Sequence, residues 1–164
     1  MSCVIQELSP GQELALAIKL AAEGHLNQKD KGGHPYIMHP IKVMHYLKSD
    51  DFQLMAIGVM HDLLEDTEVT AADLAMLGFS QRVITGVVLL TKREGVSPED
   101  YFNGIAQNYD ATRVKLADLR HNTDVRRLKG IGDKDLLRMK KYHDMHVRLT
   151  EAKRLHESMK GVMM

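Results

Sequence analysis

An apolar run from Ile57 to Leu64 has four titratable groups set within it or just beyond it: His61, Asp62, Glu65 and Asp66. Ile57, Val59, Met60, Leu63 and Leu64 read as a helix facing a core, which draws His61 and Asp62 into a buried environment where a lone charge is costly. A bound cation resolves that conflict. Adjacent residues lie ~100° apart around a helix, so both side chains can reach one ion beside its axis. Glu65 then stands one turn beyond His61, and Asp66 one turn beyond Asp62. Whatever this chain folds into must wrap an apolar core around a polar, cation-holding pocket.

Two other segments supply further donors. In Pro35-Tyr36-Ile37-Met38-His39-Pro40, His39 stands beside a proline suited to the first turn of a helix. In Lys115-Leu116-Ala117-Asp118-Leu119-Arg120-His121-Asn122, Asp118 and Asn122 are four apart and share a helix face. His39, His61, Asp62 and Asp118 together give two imidazoles and two carboxylates, a mixed N/O set suited to Mn²⁺, Fe²⁺ or Zn²⁺.

On these segments, and on Leu90-Thr91-Lys92, the chain resembles the HD-domain metal-dependent phosphohydrolases. Within them it is similar to the hydrolase domain of the RelA/SpoT alarmone enzymes and to the stand-alone small alarmone hydrolases. The motifs follow in family order over about residues 12–125, and the Glu65-Asp66-Thr67 extension and Lys-Leu-Ala-Asp segment are what specify the subfamily. The resemblance implies one divalent ion, expected to be Mn²⁺, held by His39, His61, Asp62 and Asp118, with positions left for water and a phosphate oxygen. It assigns Glu65 and Asp66 the acid–base role in removing pyrophosphate from the ribose 3′ position of (p)ppGpp-type alarmones.

The implied substrate contacts are Lys29, Asp30, Lys31, Lys115, Asn122 and Tyr142. Family members carry an Arg-Lys pair nine and eight residues before the first metal histidine, the arginine stacking on the base; here those positions are Asp30 and Lys31. Lys29, one position away, can restore the charge. Asp30 puts a carboxylate where an exocyclic amine could donate to it, so guanine and adenine alarmones both stay open as substrates.

Lys plus Arg equals Asp plus Glu at 22 each, so no global field draws the chain to nucleic acid or an anionic membrane, and attraction for a polyphosphate must be local. Cys3 is the only cysteine, which fits a reducing cytoplasm, and Met1–Gln6 lacks the features of a secretory signal. No segment approaches the ~18 apolar residues of a membrane span. Eleven methionines suggest adaptable core packing, with Met163-Met164 a frayed end.

The hydrophobic period is helical almost throughout, which predicts an all-α, single-domain bundle over residues 1–164. Ser9-Pro10 opens a helix to about Glu23, a lysine-rich loop leads to a helix from His39 to Leu47, and a third helix from about Asp51 carries the His-Asp pair near its end. Thr70 to Asp73 reads as a capping box for a short helix to about Leu77. Helices from Ser80 to Thr91 and from Ser97-Pro98 to Gln107 follow, then one capped by Asp110 that bears Asp118, and a last one capped by Asp133 that runs to about His156.

His25, His45, His143, His146 and His156 read as structural histidines, because no carboxylate partner or motif accompanies them, whereas His121 belongs to the Lys-Leu-Ala-Asp pattern and can orient the site. Two alternatives stand beside the alarmone reading. One is an HD phosphohydrolase of other nucleotides, against which the Glu65-Asp66 pair argues; the other is a nucleotide-binding regulator without turnover, against which the retained ligands and acids argue.

Overall fold

Helix-capping chemistry sets the element boundaries. In this computed structural model, which describes residues 7–128 and 130–162, helices occupy Pro10–Gly24 (α1), Met38–Tyr46 (α2), Phe52–Met60 (α3), Leu63–Asp66 (α4), Ala71–Met76 (α5), Gln81–Leu90 (α6), Pro98–Ala106 (α7), Tyr109–Asn122 (α8) and Asp133–Val162 (α9). Cys3 and Met163-Met164 lie outside the described residues. The only strand-like pairing among those residues is an isolated antiparallel bridge between Lys29 and Pro35. The fold is all-α, as the periodicity predicts.

Ser9 and Thr70 form reciprocal capping boxes with Gln12 and Asp73, and Ser97 accepts the Asp100 N–H at 3.0 Å ahead of Pro98. Two caps differ from expectation. Helix α8 starts at Tyr109 because the Asn108 side chain accepts the Ala111 N–H at 2.9 Å, while Asp110 lies in the first turn and binds Arg82 at 2.7 Å. Helix α9 is closed by Asp135, which accepts the Gly132 N–H at 3.1 Å, and Asp133 is its first residue. It also runs six residues past His156, because no proline or early glycine interrupts Glu157–Lys160.

Helix α3 is the centre of the bundle, packed against α1, α2, α6 and α8. Its residues Leu54, Ala56, Ile57, Val59 and Met60 are all fully buried, the pattern of a helix apolar on every side. The approach of α2 is set at Gly58, where an added Cβ would lie 2.8 Å from Leu47 Cδ1 and 3.4 Å from the Met44 Cα. A buried acid ties the same layer together: Glu13 accepts the Ser80 N–H at 2.6 Å and the Gln53 amide at 2.7 Å, joining α1, α3 and α6. No helix among the described residues is long and apolar enough to cross a membrane.

Candidate metal centre and cleft

The predicted third helix does not run through the His-Asp pair. Helix α3 stops at Met60, His61 and Asp62 form a turn, and α4 begins at Leu63. At Asp62 (φ −103°, ψ −2°) the backbone leaves the regular helical path, and this turns both side chains toward one point, which an unbroken helix would keep ~100° apart. Glu65 and Asp66 follow on the separate short α4.

His39 enters from the first turn of α2 and Asp118 from α8. His39 Nε2 lies 3.1 Å from His61 Nε2 and 3.4 Å from Asp62 Oδ2, and His61 Nε2 lies 3.0 Å from Asp62 Oδ2. Asp118 Oδ1 stands 3.2 Å from His39 Nε2 and 3.6 Å from His61 Nε2. Donors bound to a first-row divalent ion at about 2.0–2.2 Å sit roughly 3.0–3.6 Å from one another, so His39, His61 and Asp62 can share such an ion, with Asp118 Oδ1 beside both histidines. Two ring nitrogens that face each other in this way need a shared cation or proton between them.

The ring orientations agree with that use. His61 Nδ1 donates to the Gly58 carbonyl at 2.9 Å, which leaves its Nε2 lone pair facing the other donors. His39 Nδ1 lies 2.6 Å from His121 Nδ1, and the two rings stack with centroids 4.9 Å apart. Burial, then Arg127 and His39, push His121 down to about 4, so it stays neutral and accepts from His39 Nδ1–H. Asp62 is held by the Tyr36 hydroxyl at 2.5 Å, and Asn122 donates to Asp118 Oδ1 at 2.6 Å.

The electrostatics favour bound positive charge. Burial works against ionisation of Asp62 and Asp118, yet His61 beside the first and Lys115 beside the second hold both carboxyls well below the ordinary range. Burial likewise works against a charged His61, but Asp62 and Asp118 outweigh it and push this imidazole up to about 10.

The site opens into a cleft of about 1160 Å³ between α4, α7, α8, α9 and the 29–36 loop. Lys29, Asp30, Lys31, Glu65, Asp66, Lys115, Asn122 and Tyr142 all line it. Arg127, Arg138, Lys140, Lys141 and Arg148 line it as well, the three arginines paired with Asp30, Asp135 and Glu99 in turn. Glu65 accepts the Lys92 N–H at 3.1 Å, and Asp66 accepts from the Gln28 amide at 2.9 Å.

Two side chains expected at substrate are engaged within the protein. Lys115 binds Asp118 Oδ2 at 2.8 Å. Asp30 Oδ1 accepts the N–H groups of Gly32 and His34 at 2.8 and 2.9 Å, closing its own loop, and Asp30 Oδ2 faces Arg127 at 3.5 Å. Sequence reasoning did not place Tyr36, Gln28 and Arg127 in the site, although the Pro35-Tyr36 motif was a signal for the first.

No family model matches the chain. A guanosine-3′,5′-bis(diphosphate) 3′-pyrophosphohydrolase of Aquifex aeolicus is 34% identical over 120 residues, which is 69% of this chain and 17% of that protein. A Myxococcus xanthus GTP pyrophosphokinase is 33% identical over 118 residues, 62% of this chain and 16% of that one. The chain thus spans less than a fifth of these relatives' length. A solved structure described as a metazoan ortholog of SpoT that hydrolyses ppGpp and plays a role in starvation responses superposes with a TM-score of 0.66 at 23% identity, covering 91% of this chain and 98% of its own. The chain carries an HD-type hydrolase domain of the RelA/SpoT family.

Proposed function

We propose that the protein is a metal-dependent 3′-pyrophosphohydrolase of (p)ppGpp-type alarmones, releasing pyrophosphate and GDP or GTP, or the corresponding adenine nucleotides. The observation that carries this reading is the union, in one cleft, of the His39–His61–Asp62 group and the neighbouring Asp118 with the adjacent acids Glu65 and Asp66. His39, His61, Asp62 and Asp118 would hold the ion, for which the mixed N/O set suits Mn²⁺, with Fe²⁺ and Zn²⁺ as alternatives. Such an ion offsets phosphate charge and makes water a stronger nucleophile near neutral pH.

The protein's own groups supply the rest. Lys29 and Lys31 from the 29–36 loop and Lys140 and Lys141 from α9, all lining the cleft, would neutralise the polyphosphate. Asp66 has Oδ2 fixed by Gln28, which leaves Oδ1 to take a proton from the attacking water. Glu65, braced on the Lys92 amide, is placed to return a proton to the ribose 3′ oxygen as the P–O bond breaks. Tyr142 and Arg127, which line the same cleft, would contact the nucleoside. The lone cysteine fits a cytoplasmic enzyme.

A product assay with Mn²⁺ against ppGpp, pppGpp, ppApp, pppApp and ordinary nucleotides tests the reading. Release of pyrophosphate from a 3′-pyrophosphorylated nucleotide is expected. Turnover of ordinary nucleotides alone, or of none, overturns it.

A further inference from the structure

Asp66 is the one proposed catalytic acid whose restraint comes from the segment that follows α1. Gln28 Nε2 donates to Asp66 Oδ2 at 2.9 Å, and Gln28 Oε1 lies 2.7 Å from His25 Nδ1. A carboxylate accepts only, so the amide nitrogen must face Asp66, the amide oxygen must face His25, and His25 must carry its proton on Nδ1. The Gln28 backbone is fixed on both sides: its N–H donates to the His25 carbonyl at 3.1 Å and its carbonyl accepts the Tyr36 N–H at 2.9 Å. Rotation of the side chain is the remaining freedom, and His25 removes it.

The other face of His25 shows why a histidine stands there. The ring is buried to 1% exposure, 5.1 Å from the Tyr36 ring, and its Nε2 has no hydrogen-bond partner among the described residues. A buried polar atom without a partner is destabilising, so a ring needed only for packing would be better served by phenylalanine. What histidine adds at this position is the Nδ1–H aimed at Gln28.

We propose that His25 and Gln28 are positioning residues for Asp66: His25 fixes the Gln28 amide, and Gln28 pins one carboxylate oxygen so that the other faces the reacting water. The inference rests on the hydrolytic reading of Asp66 given above. The Gln28 side chain makes no hydrogen bond to His39, His61, Asp62 or Asp118, so its loss is expected to leave metal content unchanged, whereas His25 packs on Tyr36, which holds Asp62.

The test uses Mn²⁺-loaded protein with the alarmone panel, metal analysis and thermal melting. Gln28→Leu is expected to retain metal and lower kcat about tenfold with KM within about twofold, the size of one lost orienting hydrogen bond. Gln28→Met serves if the leucine variant does not fold, since Gln28 is only half-buried at the cleft edge. In an Asp66→Asn background Gln28→Leu should cause no further loss. At residue 25, His25→Gln, whose amide can donate to Gln28, should retain more activity than His25→Phe, the reverse of what packing alone requires. Wild-type kcat in Gln28→Leu, additive losses in the double variant, or His25→Phe matching His25→Gln would each overturn the inference while leaving the hydrolase reading intact. A wild-type protein inactive on the whole panel would overturn both.

Discussion

Lys115 Nζ lies 2.8 Å from Asp118 Oδ2, one turn earlier on α8, and both side chains are nearly withdrawn from solvent. The opposite oxygen of Asp118 faces the two histidine nitrogens, so Lys115 balances a carboxylate that would otherwise bring excess negative charge into the core. Removing one partner of such a pair costs about 3–5 kcal/mol. Lys115→Met should therefore lower the urea midpoint sharply in metal-free protein, and Mn²⁺ should recover part of the loss by binding the exposed anion. A midpoint equal to wild type would refute the pairing.

His61→Ala and Asp62→Ala each remove a donor and should abolish both metal retention and turnover, as read by metal analysis of the purified variants. Full occupancy with normal rates in either would dismiss the centre.

Glu65→Gln and Asp66→Asn, by contrast, should keep the metal and lower kcat by on the order of 10² or more, as expected for loss of a general acid or base. Single-turnover rates at saturating substrate decide this, and wild-type rates in both would remove the catalytic assignment.

The resemblance puts residue 30 at the position of the family's base-stacking arginine, and Asp30 lines the cleft. Its carboxylate also closes the 30–34 turn and faces Arg127, so Asp30→Arg should break two N–H contacts and repel that guanidinium. KM for ppGpp and pppApp should rise with little change in kcat, and Arg127→Ala should do the same. A lower KM for Asp30→Arg would restore the stacking assignment.

Arg82 joins three helices by binding Asp51 at the start of α3 and Asp110 in α8. Partial burial opposes ionisation of Asp51, but hydrogen bonds from Arg82 hold its carboxyl below the ordinary range. A depressed carboxyl contributes stability above its unfolded value of 3.8, and that contribution disappears as pH falls through the folded value. Arg82→Leu should lower stability at neutral pH by about 0.5–1 kcal/mol, screened as such exposed pairs are, and flatten the loss below pH ~4. Chemical denaturation between pH 3 and 7 would show it; parallel curves for the two proteins would contradict it.

The sequence makes the caps and the ligands legible for the same reason: each is a short-range pattern. Ser9-Pro10, Thr70–Asp73 and Ser97-Pro98 open helices where their local chemistry says they must. The turn at His61-Asp62 is different, because no glycine or proline marks it and His61 itself keeps helical dihedrals (φ −57°, ψ −29°). Convergence on a shared point, a tertiary condition, breaks the helix there. Asn108 displaced Asp110 as a cap because Arg82, distant in sequence, occupies the aspartate. The links from Gln28 to Asp66 and from Asp30 to Arg127 span 38 and 97 positions, beyond the reach of any local motif.

Gly58 acts on two scales at once: its missing side chain admits α2, and its carbonyl orients the His61 ring. An added Cβ would press on the end of the Leu47 side chain, while the Met44 backbone stands at ordinary contact distance. Leucine, isoleucine and methionine elsewhere in the core can exchange by repacking. Residue 58 has less latitude: alanine fits if the end of the Leu47 side chain turns aside, but anything larger must displace the Met44 backbone and with it the helix that carries His39.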